Sequence, residues 1–311
     1  MKLINKEIKD QAKVLIEKKT VTRKDLKKRP LSYSSLKYFL TSPLHFCHAW
    51  HRKRFFLPTP AMQFGSLVDC LMLTPENLEK EYMVIPKINK RTKAGQEQWK
   101  EIQETMKEKD LEPITEEDLI IATAMVKAAY ENPMSKRLLD NVTRTQRRCE
   151  WVDKKTKLPM ISYTDAEGEI DNRPFILELK TMADAEMDVF ARSCINFNYP
   201  LQAGTYFTAF MSITGLVPDY YYLIMEKPKI GDVTEEAITL DDRMKTPIAV
   251  NVGLASSDFI QLGRQQYRRA LDGMANCIDE QNFHKGYEFR AIEDDLYNTL
   301  DLPGWAKKEL S

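Results

Sequence analysis

Near residue 143 the patterning of this chain changes period, and that switch constrains the fold more than any other feature. Before it, apolar residues recur at helical spacing, as in the set Leu119, Ala122, Met125, Val126 and Ala129 within residues 115–140. After it, TRTQRRCEWVDKKTKLPMISYTDAEGEIDNRPFILELKT holds three strand-like runs at 145–152, 158–165 and 174–181. The turn-forming DKKTK and AEGEIDN separate them. Helices at about 184–194 and 198–213 follow, then a strand in DYYYLIMEK (219–227), two candidate strands in EEAITL and PIAVNV, and a long helix from Ser256 to about Glu280. Helices first, then strands interleaved with helices, predict an α/β (α+β mixed) domain with a central mixed β-sheet flanked by helices.

The first half divides further. Residues 4–19 predict a Lys-rich amphipathic helix with Ile8, Ala12 and Leu15 on one side, and KKRP at 27–30 marks a break. The organisation expected is a basic arm at 1–30 and one domain at 31–311. Within that domain, 31–142 is mainly helical, 143–290 is the core and 291–311 a tail. From Leu31 the chain reads helical, with Ser32 as N-cap and Pro43 as a stop or restart. AMQFGSLVDCLML (61–73), apolar almost all round, predicts a buried helix. The polar residues 87–109 predict a loop leading into an exposed helix.

Composition excludes several classes. No run of 18 uncharged apolar residues exists, so no membrane span is expected. The start, MKLINKEIKD, lacks the apolar stretch of a signal peptide, and the expected location is cytoplasmic. Five scattered cysteines without a CxxC argue against a disulfide framework, a zinc knuckle or an iron–sulfur site. The net charge of zero hides an asymmetry: residues 1–58 hold 15 Lys and Arg against four Asp and Glu. That suits either an anionic partner touched by one face or a solvated helix face. His45, His48 and His51, spaced by three among Lys and Arg, fit a nucleic-acid-facing or packing surface better than a metal site.

PFILELKT is the most informative segment. On a strand, Glu178 and Lys180 share one face, and Phe175, Leu177 and Leu179 the other. Such a pair is either a surface ion pair or a metal-ligand carboxylate beside a lysine that orients a nucleophile. Asp165 closes the preceding run, MISYTD, thirteen residues upstream. A hairpin through AEGEIDNRP would bring both carboxylates to one edge of the sheet. Hard divalent cations prefer such oxygen clusters, and metal-bound water has a lowered pKa. Asp171, in the turn, is a rival ligand. Asp69 interrupts an apolar helix, and a buried carboxylate needs a cation partner, which is either a basic side chain or a metal. In NYPLQAGTYFTAF, Gln202 and Tyr206 are four apart on a predicted helix, placed to face a phosphate and Lys180.

Together these residues resemble the PD-(D/E)xK nuclease superfamily, specifically the RecE-type phage and prophage exonucleases. The family's helical G-x-x-x-H element is similar to GSLVD, with Asp69 in the place of the metal-binding His. The catalytic Asp is matched by Asp165 in YTD, with Thr164 where the family has Pro. The D/E-x-K element is matched by Glu178-Leu179-Lys180, followed by Thr181 and the ADA of 183–185. The Q-x-x-x-Y element is matched by Gln202 and Tyr206. The runs KRTKAGQ, MEKP and FHKGY also resemble family segments. The likeness covers roughly residues 31–290. It implies hydrolysis of phosphodiesters with Mg2+ or Mn2+ held by Asp69, Asp165, Glu178 and the Leu179 backbone carbonyl. Lys180 would position water, and Gln202 and Tyr206 would support it or touch the phosphate.

The resemblance further implies digestion of linear double-stranded DNA with free ends, removal of the 5′-ended strand, and a 3′ tail for a single-strand annealing protein in phage recombination. Several family members form rings, so a homo-oligomeric ring is a possible assembly. Arg52, Lys53 and Arg54 are expected to track DNA phosphates. An endonuclease on the same core and a non-catalytic DNA-binding protein are the competing expectations.

Overall fold

A computed structural model describes residues 20–52, 58–86, 88–89, 91–228 and 248–286. The helix expected at 4–19 and the EEAITL run lie outside these residues. The chain divides into two compact units. One takes residues 1–56, 154–158 and 269–311, the other 57–153 and 159–268.

In the first unit, α1 (Arg23–Lys28) starts at a reciprocal cap between Thr22 and Asp25. α2 (Tyr33–Thr41) starts at Ser32 as the sequence predicts. Ser42 ends α2 and caps α3 (Pro43–His51), and Pro43 occupies the first turn, where its missing N–H costs nothing. Phe46 anchors this unit against Phe39, Trp50 and Phe283, with ring centroids 6.0, 5.6 and 5.8 Å away.

The second unit opens with α4 (Pro60–Leu73). Phe64, Leu67, Val68 and Met72 are buried, but Ala61, Met62, Gln63 and Ser66 are exposed, so this helix is amphipathic and not buried all round. The short α5 (Leu78–Glu81) leads into β1 (Tyr82–Ile85). Then come α6 (Lys93–Lys109) and β2 (Glu112–Thr115). β1 and β2 pair in parallel; at four residues each they are too short to show a period. The helical pattern of 115–140 is two helices, α7 (Glu116–Glu131) and α8 (Pro133–Leu139). Asn132 accepts from the backbone of Met134 and Ser135, and Pro133 cannot continue the helix before it.

The main sheet follows: β3 (Val142–Val152), β4 (Pro159–Ile170), β5 (Arg173–Met182), β6 (Asp219–Glu226) and β7 (Val250–Leu254), in that spatial order. β5 and β6 are parallel and the other neighbours antiparallel. The helices between β5 and β6, Met187–Phe197 and Tyr199–Thr214, make the crossover that a parallel pair requires. The helix Ser257–Glu280 follows β7. The strands outrun the sequence reading at the β4–β5 hairpin. Only Asp171 and Asn172 turn, at φ +52° and +62°, and AEGEI is strand. Gly168 fits there because a Cβ would stand 2.2 Å from the Asn141 carbonyl oxygen and 2.5 Å from the Phe175 ring.

Alternation along β5 separates two cores. Phe175, Leu177 and Leu179 pack with Phe64, Leu67 and Val68 of α4 and with Met125 of α7. Ile176 packs on the other face with Tyr220, Tyr222, Ala203, Phe207 and Phe210. Each such side chain removed from water contributes about 1.5–3 kcal/mol. β5 is therefore held rigidly from both sides, and Glu178 and Lys180 ride on it.

Candidate active site

β4 and β5 part company at the site. Their ladder ends at the Ala166–Leu177 pair, while β5 continues along β6 as far as Met182 and Glu226. From Glu178 onward, β5 has lost its β4 neighbour. The Leu179 N–H, which would otherwise lack a ladder acceptor, donates to Oδ2 of Asp165 at 2.9 Å. A side-chain carboxylate thus replaces the missing backbone carbonyl and fixes Asp165 beside Glu178. The Asp165 N–H lies 3.5 Å from Glu178 Oε1.

The period-2 alternation also slips at this point. Ser162 and Thr164 are buried on alternate positions, but Ala166, Glu167 and Gly168 are buried consecutively. Thr164 donates to the buried Glu167, which also pairs with Arg147 at 2.7 Å. The opposing strand is irregular at the same level. Thr145 pairs with Ala166 and Arg147 with Thr164, so Gln146 stands across from Asp165, at φ +48°.

Glu178 is 1% exposed and fully engaged. Its Oε2 accepts from Lys180 Nζ at 3.2 Å and from Gln202 Nε2 at 2.9 Å. The Lys180 ammonium also lies 5.2 Å from the centre of the Tyr199 ring, a cation–π contact. Tyr206 hydrogen-bonds with Gln202. The structure thus brings Asp165, Glu178, Lys180, Gln202 and Tyr206 together.

Asp69 of α4 joins the same electrostatic cluster from the other face of the sheet. Burial raises its pKa well above the usual carboxylate range, and the negative charges of Asp165 and Glu178 add to the rise against the pull of Lys180. Burial, with Asp165 beside it, pushes Glu178 up to about 8. Asp165 is also raised by burial, against the opposing effects of Lys180 and the Leu179 amide. Burial draws Lys180 down, but Glu178 and Asp165 outweigh it and hold the lysine well above its ordinary value. Three acids and one lysine in a confined space carry excess negative charge, which they relieve by holding protons.

The donor set suits a hard divalent cation, which takes carboxylate and carbonyl oxygens. Among the described residues, no three His, Cys, Asp or Glu side chains already stand as a closed metal cage. The carboxylates are instead engaged by Leu179 N–H, Lys180 and Gln202.

Other expected residues lie elsewhere. Asp171 pairs with Arg137 at 2.7 Å in the exposed hairpin turn, which supplies its cation. His45 contacts the Ser42 hydroxyl at 2.6 Å, His51 contacts the Thr20 carbonyl at 3.0 Å, and His48 is exposed. Arg52 is exposed at the end of α3, while Lys53 and Arg54 lie outside the described residues. The further family-like runs make contacts that hold their own elements in place. Ala185 N–H of ADA donates to Glu226 of MEKP at 3.1 Å, tying together the ends of β5 and β6. Thr92 of KRTKAGQ caps α6, and Phe283 of FHKGY is buried in the first unit. Sequence reasoning missed Tyr199, whose only sign was an aromatic at the Asn-Tyr-Pro break before a helix, and Gln146, which carried no sign.

A mixed sheet whose splayed central strands present an Asp, a Glu and a Lys in the order D…E-x-K is the core of a PD-(D/E)xK nuclease. The chain belongs to the family described as a PDDEXK-like domain of unknown function (DUF3799), whose model matches residues 32–283. Its fold is similar to the crystal structure of a Eubacterium rectale protein provisionally named an exonuclease. The TM-score is 0.50 at 12% identity, over 82% of this chain and 84% of that one. No curated protein matches the sequence. Among the described residues no helix is long and apolar enough to cross a membrane.

Proposed function

We propose that this nuclease is a metal-dependent DNA exonuclease that hydrolyses linear double-stranded DNA from its ends. The observation that carries the reading is Lys180 held 3.2 Å from Glu178 beside Asp165, where β5 is released from β4. Asp69, Asp165, Glu178 and the Leu179 carbonyl would hold Mg2+ or Mn2+. When bound, such a cation lowers the pKa of water and offsets phosphate charge.

The protein's own groups supply the rest. Lys180, charged and fixed by Glu178 and the Tyr199 ring, donates hydrogen bonds to the attacking water or to the phosphoryl oxygens on which negative charge develops. Gln202 holds the Glu178 carboxylate in register and is itself held by Tyr206. The resection of a 5′-ended strand for a recombination partner of the annealing type, and a ring assembly, come from the RecE-type likeness. The name of the Eubacterium rectale neighbour supports end-dependent cutting.

The test is digestion of linear duplex labelled at either end, with Mg2+ or Mn2+, beside a covalently closed circle. Loss of the linear substrate from its 5′-ended strand with the circle intact is expected. Cleavage of the circle would replace the exonuclease with an endonuclease, and no cleavage of any duplex would overturn the proposal.

A further inference from the structure

Gln146 is the irregular residue closest in register to the site. Its φ of +48° is territory that glycine occupies without cost and a long side chain does not. The β3–β4 pairing keeps its register across Gln146 and Asp165, and the left-handed backbone there is one that glycine would supply. The amide is exposed, and among the described residues no side chain or backbone group bonds it. Arg144 lies on the same edge strand. It is exposed and makes no ion pair among the described residues, whereas Arg147 is paired with Glu167 and Arg148 with Glu150. Arg144 stands opposite Glu167, two residues from Asp165, or about 7 Å along a strand. That is about the distance between neighbouring phosphates along one DNA strand, so Arg144 is placed about one phosphate away from Asp165. The outer edge of the sheet thus carries an amide and a guanidinium without an ion pair among the described residues, in line with Asp165.

We propose that Gln146 and Arg144 of β3 bind the DNA backbone on one side of the scissile phosphodiester, so that the edge strand seats the substrate. This rests on the nuclease reading above. Guanidinium and amide N–H groups are donors matched to phosphate oxygens.

The experiment measures binding of a fluorescein-labelled 20-base-pair duplex to the full chain in EDTA across a salt series, with thermal midpoints and Mg2+-dependent cleavage followed in parallel. Arg144→Ala should lower the slope of log affinity against log salt by about 1. Gln146→Gly should leave the slope alone and weaken binding about 10- to 150-fold, as loss of a hydrogen bond to a charged group does. Its thermal midpoint should hold or rise, because relief of the left-handed strain offsets the added chain freedom. An unchanged slope in Arg144→Ala, or wild-type affinity in a stable Gln146→Gly, would overturn the proposal, as would a wild type that does not bind duplex. Salt-dependent binding that responds to both variants, without cleavage in Mg2+ or Mn2+, upholds the contact and removes the nuclease reading. Normal cleavage with both variants binding as wild type does the reverse.

Discussion

Replacing Lys180 by alanine should cost stability in a pH-dependent way as well as activity. From sequence alone, a strand-end lysine contributes little to the core. In the structure its side chain is 14% exposed and ion-paired to a glutamate that is 1% exposed. Glu178 has its pKa raised from 4.5 to about 8. A carboxyl whose pKa is higher in the folded chain binds its proton more tightly there. The stability it lends is complete below pH 4.5 and is lost as pH rises through about 8. Below pH 8 the contact that Lys180→Ala removes is mainly a hydrogen bond from a charged donor, about 1.5–3 kcal/mol. Without Lys180 the Glu178 pKa moves higher still, so the variant goes on losing stability where the parent has finished. Each pH unit above 8 adds up to about 1.36 kcal/mol, approaching the roughly 3–5 kcal/mol of a broken buried pair. Urea unfolding in EDTA at pH 6.5 and pH 9 measures this difference. An equal penalty at both pH values, or one under about 0.5 kcal/mol, would refute the coupling of Lys180 to Glu178. Cleavage by the folded variant should fall about 100-fold or more, and near-normal digestion would remove Lys180 from the chemistry.

Other expectations follow from the same cluster. Calorimetry should find Mn2+ binding that weakens sharply in Asp165→Ala and Glu178→Ala; two variants that bind as the parent does would rule both out as ligands. Because the acids hold protons in the absence of metal, Mn2+ binding should tighten as pH rises through about 8, and a pH-independent affinity between pH 6 and 9 would contradict the raised pKa of Glu178. Mg2+ at 100 times its Kd should stabilise the parent by about 2.7 kcal/mol, a gain that Asp69→Ala blunts and Asp69→His partly keeps; an undiminished gain in Asp69→Ala would leave that carboxyl a structural role only. Gln202→Leu should cost about 1–3 kcal/mol by leaving Glu178 short of a donor, and a variant as stable as the parent in urea would show that the amide is dispensable.

The period change at residue 143 carried most of the fold. It located β3, β4 and β5, and strand alternation placed Glu178 and Lys180 on the face opposite Leu177 and Leu179, as the two cores have them. The Gln202–Tyr206 spacing on a helix was likewise legible, because i and i+4 share a face whatever the helix packs against. What stayed hidden depended on contacts distant in sequence. The break at Asn132 is written locally in Asn-Pro, yet helical spacing runs straight through it. AEGEI reads as turn from its composition; only Gly168, set against Phe175 and Asn141, shows why a glycine belongs inside that strand. The neighbourhood of Asp69 was undecidable from its helix, since the charges that perturb it sit on β4 and β5. Gln146 is ordinary as a letter and unusual only as a dihedral angle.

The Leu179 amide, bonded to a side chain where a strand would offer a carbonyl, gives the molecule an intrinsic gauge of how its site is loaded. Its proton is held by one oxygen of Asp165, so any cation that draws that carboxylate away releases the proton to solvent, while neighbouring amides of β5 stay locked to β6. Hydrogen–deuterium exchange at this one backbone position should therefore quicken on loading, against the general slowing expected of a stabilised fold. The catalytic state becomes readable in an apo-to-metal titration without substrate, turnover or an extrinsic label.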